Sequence, residues 1–127
     1  MAKTQRPTPA ELDILRLLWE LGPSTVREVH ERLERERPTG YTTVLKLMQI
    51  MTDKRLVSRD EAARAHVYSV TSPEQHTQRQ LVRDLVDRAF GGSASKLVMQ
   101  TLSARSTSRE ELGRIRELLD RLEGEKR

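Results

Sequence analysis

Between Pro9 and Val70 the spacing of apolar residues changes once, from threes and fours to twos, and this change restricts the folds open to the chain. Leu12, Leu15 and Trp19, flanked by Ile14, Leu18 and Leu21, keep helical spacing until Gly22-Pro23 ends the run. Ahead of them, Thr8-Pro9-Ala10-Glu11 supplies an N-cap hydroxyl, a proline at the first helical position and an acid that can reach back to the cap. A helix over 9–21 is predicted. Thr25 and Glu28 repeat the capping pattern, and Val26, Val29 and Leu33 line one face opposite Arg27, Glu31, Arg32 and Glu34, which predicts a second helix over 26–36. Pro38-Thr39-Gly40 breaks it. Val44, Leu47, Met48 and Met51 then follow the i, i+3, i+4, i+7 pattern of a third helix, from Tyr41 to Lys54. Beyond it the period falls to two: Leu56-Val57-Ser58-Arg59 and Ala65-His66-Val67-Tyr68-Ser69-Val70 read as short strands around the charged turn Asp60–Arg64.

Three helices followed by a hairpin is the order of a winged helix, and the second and third helices around Pro38-Thr39-Gly40 match a helix-turn-helix. The expected fold is therefore mainly α with a small β-hairpin wing. A winged helix-turn-helix is expected over 1–72 and a helical region over 73–127, with the boundary near Thr71 marked by no Pro/Gly/Ser linker. Ser72-Pro73-Glu74-Gln75 signals the start of a long helix with Leu81, Val82, Leu85, Val86, Ala89 and Phe90 on one face, stopped by Gly91-Gly92. Ser93 can cap a short helix carrying Leu97, Val98 and Leu102, and Ser108 with Glu111 a last one carrying Leu112, Ile115, Leu119 and Leu122. The tail Glu123–Arg127 is expected to fray. Three amphipathic stripes of this size do not close a core alone. They can meet the same segment of a second copy across a two-fold axis, or fold back on the winged helix in a monomer.

The residue inventory narrows the function classes. The chain of 127 residues carries 23 Lys and Arg against 19 Asp and Glu, a formal charge of +4 that suits a polyanionic partner without requiring one. With no cysteine, disulfides, thiolate metal sites and a cysteine nucleophile are excluded. His30, His66 and His76 fall on different predicted elements without metal-ligand spacing, and no glycine-rich phosphate loop is present. His30 is read as the polar margin of its helix and His76 as a surface residue in the first turn of the next. The acidic pairs Glu110-Glu111 and Asp84/Asp87 sit at a helix start or on charged faces, where dipole and side-chain pairing account for them. No catalytic residue, metal or cofactor is expected. No apolar run is long enough to span a membrane, and Met1–Pro9 lacks the apolar stretch of a signal peptide, so a cytoplasmic protein with no membrane insertion is expected.

If the apolar stripe of the third helix faces the core, its other side presents Tyr41, Thr42, Thr43, Leu45, Lys46 and Gln49. Thr methyls and Leu45 suit a thymine methyl, Gln49 an adenine edge, and Lys46 a guanine or a phosphate. Arg59, Arg64 and His66 on the hairpin suit the sugar-phosphate backbone, the alternative being a solvated basic edge that discourages strand pairing; Arg59 fits either reading, and Arg64 at the hairpin tip is assigned to DNA. For the C-terminal region the candidate dimer contacts are Leu81, Leu85, Phe90, Leu97 and Val98, followed by Leu112, Ile115, Leu119 and Leu122. Two copies would set their reading helices about 34 Å apart, as a palindrome requires. A protein-binding adaptor and a small-ligand-responsive regulator are the alternatives, since fold does not fix function.

Tyr41-Thr42-Thr43-Val44-Leu45 through Lys54, then Leu56-Val57-Ser58-Arg59 and Arg64-Ala65-His66-Val67-Tyr68, resemble the signature of the BlaI/MecI penicillinase-repressor family. Glu11-Leu12-Asp13-Ile14-Leu15 with Trp19, and Leu97-Val98, extend the resemblance over nearly the whole chain. The resemblance implies a homodimeric winged-helix repressor on a palindromic operator, often controlling beta-lactam resistance or a neighbouring regulatory operon. It also implies an upstream membrane-embedded sensor protease whose signal leads to repressor cleavage in the C-terminal part. The chain departs from the family at several points. Gln100-Thr101 stands where some members have an Asn-Phe cleavage site, and the cysteine cluster of the copper-responsive branch is missing. Ile50 replaces a basic residue of many relatives. Arg55 stands where the family usually has glycine, after the third helix, at a position that prefers positive φ and would cost a non-glycine residue about 1 kcal/mol.

Overall fold

The computed structural model describes residues 6–125, in the order α1 (Pro9–Leu21), α2 (Val26–Glu36), α3 (Tyr41–Asp53), β1 (Val57–Asp60), β2 (Val67–Val70), α4 (Glu74–Ala89), α5 (Ala94–Ala104) and α6 (Arg109–Glu125). Residues 1–5 and the last two positions of the expected fraying tail lie outside the described residues; Glu123–Glu125 are helical, a correction to that expectation. Two compact units are distinguished, with the change falling between Gln80 and Leu81, inside α4.

In the first unit the local signals act as the sequence predicts. Thr8 accepts from the Glu11 N–H while Glu11 accepts from the Thr8 N–H, and Thr25 and Glu28 repeat the exchange at α2. Gly22, at φ 83°, ends α1. Ile14, Leu15, Leu17 and Leu18 of α1 pack with Val26, Val29 and Leu33 of α2 and Val44, Met48 and Met51 of α3. Leu56, Val57 and Tyr68 complete this core, and Leu12, Trp19, Leu45, Leu47 and Val70 lie half-buried against it. Two assignments change: Leu17, missing from the expected face, is fully buried, whereas Leu21 is exposed beside the Gly22 stop. Across the outer surface of α1 and α2, Asp13 meets Arg37, Arg16 meets Glu36 at 3.0 Å and Glu20 meets Arg32 at 2.9 Å. Each exposed pair is worth only about 0–1 kcal/mol, so the ladder contributes orientation more than stability.

The wing differs in its bounds from the sequence reading. Its strands are Val57–Asp60 and Val67–Val70 rather than Leu56–Arg59 and Ala65–Val70, and pair antiparallel with Val57 opposite Val70 and Arg59 opposite Tyr68. Leu56 is taken out of the ladder because its N–H closes the end of α3 by donating to the Met51 carbonyl. Ala65 and His66 belong to the exposed tip, which begins where the Asp60 carboxylate accepts from the Ala62 N–H. Helix α3 correspondingly ends at Asp53, with Lys54 as its cap. The inner edge of β2 is paired as well: Ser24, between α1 and α2, exchanges two backbone hydrogen bonds with Tyr68, at 3.0 and 2.8 Å. Trp19 Nε1 donates to the Ser72 carbonyl and Thr71 Oγ1 to the Arg55 carbonyl, fixing the exit of the wing.

In the second unit Ser93 Oγ accepts from the Lys96 N–H and Ser108 Oγ from the Glu111 N–H, so both helix starts are as predicted. Gly91 and Gly92 both take positive φ, and the Gly92 N–H donates to the Val86 carbonyl as α4 ends. No residue from Leu81 to Glu125 is buried. Of the side chains expected at a dimer contact, Leu81, Phe90, Leu97, Leu112 and Ile115 are half-buried, whereas Leu85, Val98, Leu119 and Leu122 are 44–51% exposed. Among the described residues no helix is long and apolar enough to cross a membrane.

Candidate nucleic-acid interface

Core packing decides which side of α3 is free. Val44, Met48 and Met51 are fully buried, which leaves Thr42, Lys46 and Gln49 on the opposite, exposed face. Thr43 and Ile50 lie on one flank of that face, also exposed, and Asp53 adds an acidic group at its C-terminal end. Leu45 behaves differently from its exposed neighbours: it is half-buried and packs against the core. Its free side joins Tyr41 in a cleft.

That cleft, of about 630 Å³, lies between the first turns of α2 and α3 and the wing. Tyr41 and Leu45 line it from α3, Arg64, Ala65 and His66 from the wing tip, and Thr25, Val26 and Arg27 from the start of α2, with the buried Tyr68 at its back. Of the hairpin residues singled out in the sequence, Arg64 and His66 thus come together with Tyr41 and Leu45, while Arg59 does not. Arg59 is drawn along its own strand, where its guanidinium is held charged above the ordinary arginine value by a hydrogen bond with Tyr68 and, against partial desolvation, by the Glu61 carboxylate. The Arg59–Glu61 pair spans 2.7 Å. Partial neutralisation by Glu61 lowers what Arg59 can offer a phosphate.

Arg27 is the cleft residue that sequence reading missed. It was one of four charged residues on the polar face of α2, and its spacing is the same whether that face meets solvent or a ligand. Only the turn that brings the starts of α2 and α3 together sets it apart. It is paired with Glu31 at 3.8 Å and remains largely exposed. The start of α3 has a further property: Gly40 is its N-cap and offers no side-chain cap, unlike the starts of α1 and α2. Its first backbone N–H groups therefore have no capping side-chain oxygen, beside a cleft that carries arginine and histidine.

The arrangement can hold an anionic backbone against the cleft and offer amide, hydroxyl and ammonium groups to base edges from the outer face of α3. His76 is exposed in the first turn of α4, and among the described residues no three His, Asp or Glu side chains are placed to share a metal ion.

A family model described as "Penicillinase repressor" matches residues 7–121. A "Transcriptional regulator BlaI" from two strains of Mycobacterium tuberculosis is 40% identical over 70 residues, 54% of this chain and 51% of that protein. The match therefore spans about half the length of those relatives. An "Uncharacterized 16.5 kDa protein in ptsI 3'region" from Latilactobacillus sakei is 20% identical over 116 residues, 91% of this chain and 80% of that one. Among solved structures, the solution structure of the DNA binding domain of the repressor BlaI superposes with a TM-score of 0.52 over 58% of this chain and 90% of that one. At 20% identity the likeness is one of fold, and it is the winged-helix fold expected from the sequence.

Proposed function

Because this chain belongs to the penicillinase repressor family, a family of repressors rather than enzymes, we propose that it is a sequence-specific DNA-binding transcriptional repressor acting as a homodimer on a palindromic operator. The observation that carries the reading is the juxtaposition of the exposed Thr42-Lys46-Gln49 face of α3 with a cleft bearing Arg27, Arg64 and His66. Helix α3 enters the major groove. Lys46 and Gln49 meet base edges, Thr42 and Thr43 offer methyl and hydroxyl groups, and the cleft takes the adjoining phosphates. Tyr41 and Leu45 form the wall between the two kinds of contact, and Arg59 contributes a weaker charge from the wing.

Homodimerisation is supported by the second unit, which leaves Leu85, Val98, Leu119 and Leu122 in water together with Val82, Met99 and Leu118. Exposed apolar surface on all three of its helices is what a shared core looks like in one copy. In this reading residues 1–72 form the DNA-binding domain and 73–127 the dimerisation region, in a cytoplasmic regulator of beta-lactam resistance or a related sensor operon that answers to a membrane sensor protease.

Selection from random duplexes with the purified protein, at two salt concentrations and with the mass measured by light scattering, tests the proposal. A palindrome with half-sites about one helical turn apart, bound by a dimer and weakened steeply by salt, is the expected result. Absence of enrichment at low salt would overturn it.

A further inference from the structure

Helices α1 and α2 are each started by a capping box, but α3, the helix assigned to DNA, begins at Gly40 with no side-chain cap. What fixes its entry comes from α2. His30 Nε2 lies 2.7 Å from the Thr39 carbonyl oxygen and 2.9 Å from Glu34 Oε2. Both neighbours are acceptors only, so Nε2 carries the proton that they share. Glu34 Oε2 also accepts from the Thr39 N–H, at 3.4 Å, so both backbone groups of Thr39 are engaged from one turn of α2. On its other side the His30 ring meets Tyr41 edge to face, with centroids 5.6 Å apart and planes at 81°. The His30 side chain is 22% exposed and sits behind Tyr41, which is 47% exposed on the cleft wall.

We infer that His30 is a positioning residue of the DNA interface: by holding the Thr39 carbonyl and the Tyr41 ring it sets the angle at which α3 leaves the helix-turn-helix turn. The inference rests on the DNA-binding reading and deepens it. A glycine cap leaves the first N–H groups of α3 without a side-chain partner but gives the turn no rigidity of its own. The imidazole restores that rigidity from behind, where it does not compete for the same N–H groups. The aromatic contact makes Tyr41 rigid at low entropic cost, since its ring is already seated when a ligand arrives.

The test compares wild type, His30→Leu, His30→Gln, Tyr41→Leu and the His30→Leu/Tyr41→Leu double variant, using the duplex selected by wild type and an unrelated duplex of equal length. In the free protein, NMR of His30→Leu should show the Tyr41 ring and the Thr39–Tyr41 amides shifted, with the α1–α2 core resonances in place. Affinity for the selected duplex should fall about tenfold, as coupling through one contact pair allows, while affinity for the unrelated duplex holds. His30→Gln, whose amide can donate to the Thr39 carbonyl, should recover most of that loss. The double variant should lose less than the two single losses combined. Equal losses on both duplexes, no rescue by glutamine, or strict additivity with Tyr41→Leu would overturn the positioning role. Should His30→Leu fail to fold, His30→Ala, alone and combined with Tyr41→Leu, supplies the same cycle. If wild type binds neither duplex, the DNA-binding reading itself fails and the role of His30 with it; if wild type binds and His30→Leu binds identically, only the present inference fails.

Discussion

Lys54, the residue that caps α3, holds both carboxylate oxygens of Glu11 in the first turn of α1, at 2.8 and 3.0 Å. Glu11 is 1% exposed and also accepts from the Thr8 N–H, so one carboxylate closes the capping box of the first helix and anchors the end of the third. Removing one partner leaves the other charge without its counterpart in a place with little water. Lys54→Met should therefore destabilise the protein by about 2 kcal/mol, below the 3–5 of a fully buried pair because the lysine keeps some solvent. Glu11→Gln with Lys54→Met should recover part of that loss. Urea unfolding of Glu11→Gln, Lys54→Met and the double variant measures the coupling, and simple additivity would show that the pair does not act as a unit.

On the outer face of α3, Lys46→Ala and Gln49→Ala should leave the melting temperature unchanged, because both side chains are exposed. Each should lower affinity for the selected operator by about 1–3 kcal/mol if it meets a base edge. Unchanged operator affinity in both would remove α3 from the reading role.

Arg64→Ala and Arg27→Ala, in the cleft, are expected to act differently: a nearly uniform loss across sequences and a salt dependence shallower by about one ion for each lost phosphate contact. Arg59→Ala should change the slope less, given its pairing with Glu61. A slope equally reduced in all three would count against the distinction drawn between wing tip and strand.

Arg55 has φ 65°, the left-handed conformation, directly after α3. The turn is held there by the Leu56 N–H on the Met51 carbonyl and Thr71 Oγ1 on the Arg55 carbonyl, so the backbone cannot relax by itself. Arg55→Gly should stabilise the fold by about 0.5 kcal/mol, the relieved strain exceeding the entropy glycine adds to the unfolded chain. Arg55→Val should cost more than about 1 kcal/mol. Thermal unfolding of the pair decides, and a loss of stability in the glycine variant is the contrary outcome.

Leu119 is 51% exposed on α6. Leu119→Glu should shift the protein toward monomer in light scattering and weaken palindrome binding more than half-site binding, with the circular dichroism of the winged helix retained. A variant still dimeric at micromolar concentration would place the contact on other faces of the unit.

The elements were largely legible because their signals are local. Thr8 with Glu11, Thr25 with Glu28, Ser93 with Lys96 and Ser108 with Glu111 are all partners three residues apart, and their hydrogen bonds form as soon as the chain turns. Apolar periodicity likewise marked the buried faces of α2 and α3. It failed for Leu17 and Leu21, because a helix enclosed by α2, α3 and the wing hides a wider stripe than spacing alone suggests, while its last turn projects past the core.

The conformation of Arg55 was a different kind of inference, carried by a resemblance at one position and matched by the backbone. Candidate DNA contacts on α3 could be named from its sequence because a helix with one apolar face has only one other face to offer. The division of the wing's basic residues could not be, since Arg59 and Arg64 look alike in the chain, and only strand register separates the one that turns toward Tyr68 and Glu61 from the one at the tip.

The sequence by itself determined where this chain turns helical, where it stops and which stripes are apolar, because those outcomes depend on groups within about one helical turn of each other. Tertiary structure alone decided that Glu11 becomes a buried anchor for Lys54, that Trp19 reaches the Ser72 carbonyl and that His30 sits under Tyr41 at the helix-turn-helix turn. The physical reason is sequence distance: Glu11 and Lys54 are 43 positions apart and Trp19 and Ser72 are 53, so neither pairing leaves any trace in local pattern until packing of the core brings their elements together.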